Sequence, residues 1–185
     1  VSLPLSAMAA ASHGLEPAAI VLVDVVAKLA PAGVERIVGF MTANPDGFAS
    51  LEAAADAISA YYPDRARPKD LSGLSKNLRL GDDGRYRWHW DPRFIQGDRD
   101  HETIPDMLTA SDWGKRIPTL LVRGMKSDIV TDDGVADMRR RVPTLEVADI
   151  GNAGHMVAGD RNDLFNAAVL GFLARVMPVA APAPD

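Results

Sequence analysis

Three short apolar runs constrain what this chain can fold into more than any other feature. Ala18-Ala19-Ile20-Val21-Leu22-Val23 is bounded by Pro17 and Asp24. Pro118-Thr119-Leu120-Leu121-Val122-Arg123 ends at Gly124, and Thr144-Leu145-Glu146-Val147-Ala148-Asp149 ends just before Gly151. The first two lack a polar face, as do strands buried on both sides of a parallel sheet. The third alternates more, as an edge strand would. A helix is predicted over 132–141, between the second and third runs. Another is predicted over 162–176, with Leu164, Phe165, Ala168, Val169 and Phe172 at helical spacing. Strand, helix, strand, helix in the last third argues for parallel crossovers and an α/β fold.

The stretch between the first two runs differs. Residues 26–115 read as helix-rich, broken by Pro31, Pro45, Pro63, Pro68, Pro92 and Pro105. Leu51 to Ile58 form a clear helix after the N-cap candidate Ser50. A long helical excursion between two strands of one sheet is expected to be a cap or lid. The expected domains are therefore a core of 1–25 with 116–177, a helical cap of 26–115, and a disordered Pro- and Ala-rich tail of 178–185. A helix is also expected over 4–13.

Composition excludes several classes. At 47% hydrophobic and 24% charged, the 185 residues suit one globular domain. A net charge of −5 disfavours nucleic acid and anionic membrane surfaces as partners. Arg139-Arg140-Arg141 is basic, but it reads as the solvated end of a helix. With no cysteine, there can be no disulfide, thiolate metal site or cysteine nucleophile. No run approaches the ~20 apolar residues of a membrane span. Residues 1–12 lack the basic start of a signal peptide. The expectation is a cytoplasmic protein. The chain begins with Val1, which a fragment, a processed product or an alternative start codon would each explain.

The residues fit for chemistry follow the strands. His155 lies in Gly151-Asn152-Ala153-Gly154-His155-Met156, directly after the third run. Loops at the carboxyl ends of α/β strands are where such sheets place their sites. Imidazole suits proton shuttling near neutral pH. Asp128 follows the second run through Gly124-Met125-Lys126-Ser127, where its carboxylate could accept the imidazole Nδ1–H. Asp128 could equally be a helix N-cap, and Asp24, after the first run, is a rival acid. Ser2 precedes a helix-like stretch, in Val1-Ser2-Leu3-Pro4. Arg85 to Phe94 is the densest aromatic patch, suited either to the wall of a substrate pocket or to packing inside the cap. His89, Asp91 and His101 match no standard metal spacing, so no metal is expected.

Together these segments resemble the C-terminal half of an α/β-hydrolase. The resemblance is carried by Leu121-Val122-Arg123-Gly124 with Ser127-Asp128-Ile129-Val130, and by Gly151 with Gly154-His155-Met156-Val157-Ala158-Gly159-Asp160. More weakly, Ala18–Asp24 matches a core strand, and Ser2–Met8 matches the nucleophile turn and its helix. The resemblance implies a partial α/β-hydrolase sheet of about three parallel strands with flanking helices plus a helical cap, lacking the family's N-terminal strands. It implies a Ser…Asp…His triad of Ser2, Asp128 and His155. Trp88, Trp90 and Met156 become candidate substrate-binding residues, and no cofactor is needed. The implied activity is hydrolysis of an ester, lactone or similar small acyl substrate by a truncated chain. The competing class is a hydrolase-like protein that binds without catalysis, or an inactive fragment. An epoxide hydrolase or dehalogenase would need an Asp where Ser2 stands. Pro4 departs from the family turn, which needs small residues around the serine. Fewer strands also leave an open sheet edge, so a homo-oligomer or a complementary N-terminal chain is an expected partner.

Overall fold

The computed structural model describes residues 17–63, 65, 67, 69–91 and 113–178. Ser2, the helix expected over 4–13 and the tail from 179 lie outside them. The chain divides into two compact units, one drawn from Val1–Val34 and Asp100–Asp185, the other from Glu35–Arg99.

The first unit is built on the three expected strands, β1 (Ile20–Val23), β4 (Thr119–Gly124) and β5 (Leu145–Ile150). They lie in the order β1-β4-β5, and both pairings are parallel. Every residue of β4 is buried, as its unbroken apolar run requires. Register places Leu22 beside Leu121 and Leu121 beside Val147 on one face, and Val21 beside Leu120 and Val122 beside Ala148 on the other.

Helix α6 (Asn162–Val176) lies against β4 and β5. Phe172, fully buried, meets Leu120, Val122, Ile150 and Val157 there, with Phe165, Val169 and Leu173 around them. Burial of one such side chain contributes roughly 1.5–3 kcal/mol. On the opposite face Arg123 reaches Asp149, its register partner on β5, at 2.8 Å and Asp132 at 2.6 Å. Asp132 opens helix α4 (Asp132–Arg141), whose N-cap Thr131 accepts the Gly134 N–H. The basic run at its end is not simply solvated. Arg140 and Arg141 grip the buried Asp137 at 2.9 and 2.7 Å.

The second unit adds a hairpin to the helix-rich stretch expected between the first two runs. Helix α1 (Pro31–Thr42) starts in the first unit and continues into the second; Pro31 serves as its first residue and does not break it. Helix α2 (Leu51–Tyr61) has the expected cap, Ser50 accepting the Ala53 N–H at 3.2 Å. A 3₁₀ turn (Ser72–Lys76) then leads into an antiparallel hairpin, β2 (Leu78–Leu80) with β3 (Tyr86–Trp88). Leu78-Arg79-Leu80 and Tyr86-Arg87-Trp88 alternate with period two. Gly84 takes the left-handed φ of +75° in the turn between them, and Asp83 is held there by both outer nitrogens of Arg87. The core of this unit is Phe48, Ala54 and Leu78. The described residues include two further short helices, α3 (Trp113–Arg116) and α5 (Val157–Asp160).

Candidate active site

The carboxyl ends of the three parallel strands converge on one buried carboxylate. It belongs to Asp24, the residue directly after β1, and not to Asp128. Asp24 is 0% exposed and takes the left-handed φ of 48°, a region that Asp tolerates better than most residues. Its backbone N–H still donates to the Val122 carbonyl at 2.8 Å, continuing the ladder to β4. The left-handed turn then aims the side chain across the ends of β4 and β5.

Three donors meet this carboxylate. The Gly124 N–H donates to Oδ1 at 3.0 Å. The Ser127 hydroxyl donates to Oδ2 at 2.6 Å. His155 Nδ1 lies 2.9 Å from the same Oδ2. A carboxylate only accepts, so the neutral imidazole is assigned with its proton on Nδ1, leaving Nε2 as the ring's lone-pair nitrogen. The buried acid thus fixes both ring orientation and tautomer, as a general base needs.

The His155 loop is clamped from below. Ala153 is fully buried and its carbonyl accepts the Lys126 N–H at 2.8 Å, while the Ile150 carbonyl accepts the Met125 N–H at 3.0 Å. Asn152 takes a left-handed φ of 58°, and the Gly154 N–H donates to Asp160 Oδ2 at 2.9 Å. Gly124 lies directly under the loop. A Cβ there would sit 2.2 Å from the Gly154 carbonyl oxygen and 2.6 Å from that of Ala153. Only glycine ends β4 without lifting the loop.

The expected pairing of Asp128 with His155 is therefore corrected. The side chain of the residue before it, Ser127, turns toward Asp24. The Asp128 carbonyl lies against Gly33 at the start of α1, 2.3 Å from where a Cβ on that glycine would stand. His155 is placed where the sequence predicts. Asp24 was legible as an acid after a strand, whereas Gly124 and Ser127 were legible only as members of the segment that carries the resemblance, with no role attached.

Of the expected substrate residues, Met156 follows His155 with 48% of its surface exposed. Trp88 belongs to the packing of the second unit, edge-on to Phe48 with ring centres 5.5 Å apart. Trp88 and Trp90 also line an open groove of about 600 Å³ on that unit, together with Arg79, Arg87 and His89. Ser2 and His101 lie outside the described residues. Among the described helices, none is long and apolar enough to cross a membrane.

No family model matches the chain. It is 31% identical over 153 residues to a 3-hydroxybutyrate-oligomer hydrolase of Cupriavidus necator, covering 72% of this chain and 50% of that protein. Among solved structures it resembles an esterase from Mycobacterium tuberculosis, with 28% identity, a TM-score of 0.68, and coverage of 92% of this chain and 57% of that one. It also resembles an α/β hydrolase from Novosphingobium aromaticivorans, with 26% identity, a TM-score of 0.63, and coverage of 92% and 61%. The chain thus spans half the length of the curated relative it matches and about three-fifths of these solved chains.

Proposed function

We propose that this chain, which has the α/β-hydrolase fold, serves the serine-type hydrolysis of an ester, lactone or similar small acyl substrate. The observation that carries this reading is the 2.9 Å contact between His155 Nδ1 and the fully buried Asp24. A buried acid, an oriented imidazole and a strand-end location are the second half of a nucleophile–histidine–acid relay. The name of the curated relative, a hydrolase of hydroxy-acid oligomers, supports an ester linkage.

In this reading His155 Nε2 takes the proton of a serine hydroxyl as the serine oxygen attacks the acyl carbon. The imidazolium, stabilised by Asp24, returns that proton to the leaving alkoxide. Water, deprotonated by the same nitrogen, then releases the acid and restores the serine. The serine is Ser2 or one supplied by a complementary chain.

The test is steady-state hydrolysis of a p-nitrophenyl ester by the protein and its His155→Ala, Asp24→Asn and Ser2→Ala variants. Loss of turnover in the first two supports the relay. Loss in Ser2→Ala assigns the nucleophile, and retention there moves the nucleophile to another serine. Turnover indifferent to His155→Ala would sink the reading and favour a hydrolase-like binding protein.

A further inference from the structure

The Asp24 carboxylate is shared, and the sharing is asymmetric. Oδ1 holds one backbone donor, whereas Oδ2 holds both His155 Nδ1 and the Ser127 hydroxyl. The Ser127 oxygen in turn accepts the N–H groups of Ile129 at 3.3 Å and Val130 at 3.2 Å. Those two donors occupy its lone pairs, so the hydroxyl proton is directed at Asp24. Accepting two hydrogen bonds also polarises the O–H and strengthens it as a donor. At 2.6 Å to a buried carboxylate, it is a charge-assisted bond.

We propose that Ser127 is a positioning residue for the acid–histidine pair. It holds Oδ2 toward the imidazole and withdraws charge from that oxygen, so it sets the basicity of His155. This rests on the reading of Asp24 and His155 as the acid and base. A carboxylate oxygen that already accepts a strong hydrogen bond attracts an imidazolium less. Removing the hydroxyl leaves more charge on Oδ2, which stabilises protonated His155. Among the described residues, the other ionisable groups near the histidine loop are Lys126 and Asp128 after β4 and Asp160 on α5, which is bonded to the Gly154 N–H; on the strands, Arg123 and Asp149 pair with each other and Glu146 pairs with Arg175. None of these changes in a Ser127 variant.

The experiment follows the His155 ring resonances by NMR across pH, beside the pH profile of ester hydrolysis, in Ser127→Ala, Ser127→Thr and Asp24→Asn. Ser127→Ala is expected to raise the His155 midpoint by about half a pH unit, a roughly threefold gain in proton affinity. The acidic limb of the rate profile, which reports deprotonation of the general base, should move with it. Ser127→Thr, which keeps the hydroxyl, is expected to restore both. Thermal denaturation of each variant separates this shift from loosening of the 127–130 turn, which would lower stability without moving the midpoint upward. A midpoint in Ser127→Ala that stays put or falls overturns the proposal. If Asp24→Asn also leaves the midpoint and turnover unchanged, the acid–histidine reading itself fails. If Asp24→Asn moves both while Ser127→Ala moves neither, only the role of Ser127 is lost.

Discussion

Replacing Gly124 by alanine tests the geometry of the site with one methyl group. The added Cβ would lie 2.2 Å from the Gly154 carbonyl oxygen, 2.6 Å from the Ala153 carbonyl oxygen and 2.9 Å from the Gly154 carbonyl carbon. These are backbone atoms, so no rotamer can relieve the overlap. Restoring ordinary contact requires the 153–154 segment to lift by about 1 Å. His155 is the next residue, and its 2.9 Å contact with Asp24 cannot survive a lift of that size at good geometry. The Lys126 N–H bond to Ala153, now 2.8 Å, lengthens with it. Overpacking of this kind costs roughly 1–3 kcal/mol of stability. A misplacement of 1 Å at a reacting group lowers the rate by about 10²-fold. The assay pairs urea denaturation with kcat/KM on a p-nitrophenyl ester and the His155 ring resonances. A Gly124→Ala protein with unchanged stability, an unmoved His155 spectrum and full turnover would refute the argument that this glycine seats the His155 loop.

Three further outcomes follow from the same structure. Asp24→Asn leaves a neutral amide against Nδ1 and is expected to lower kcat by about 10⁴-fold, whereas Asp128→Asn stays within a few-fold of the parent; steady-state kinetics of the two variants side by side decide between the carboxylates. Arg123→Met removes the buried cation between Asp149 and Asp132; because Asp132 is almost wholly exposed, the loss is expected to be about 1–2 kcal/mol in urea denaturation, below that of a fully buried pair. The Arg141 guanidinium, bonded to Asp137, holds that carboxyl below its ordinary value of 3.8. The stability from this pair is therefore complete above about pH 4 and lost as pH falls further through the depressed value; Asp137→Asn should flatten that part of the acid denaturation profile.

Much of the fold was legible because its signals are local. The runs at 18–23, 118–123 and 144–149 contain Ile20–Val23, Thr119–Val122 and Leu145–Asp149, and each core strand forms where its run lies. Helix α4 spans 132–141 and helix α6 spans 162–176, as their spacing requires. The β2–β3 hairpin went unread because its strands are three residues long, too short for alternation to outweigh the helical character of the neighbouring segments. Its turn, Gly81-Asp82-Asp83-Gly84, was the available signal.

The choice between Asp24 and Asp128 was not legible, for a physical reason. Both carboxylates follow parallel strands that are neighbours in one sheet, so strand order alone brings each near the His155 loop. Two backbone details decide the matter. Asp24 leaves its strand at once in the left-handed region, which turns its side chain over the end of β4 and onto the Gly124 N–H. The loop after β4 instead presents Ser127, whose oxygen closes a turn on Ile129 and Val130 and so fixes which side chain points inward. A left-handed φ at an aspartate has no local sequence mark, since most aspartates do not adopt it and glycine is its usual bearer. It is held because the buried carboxylate gains three donors by adopting it. Charge-assisted bonds of ~1.5–3 kcal/mol each outweigh the ~1–2 kcal/mol of backbone strain. The conformation of Asp24 is thus a consequence of Gly124, Ser127 and His155 together, residues about a hundred positions or more along the chain, and it becomes readable only once the sheet has brought them to one place.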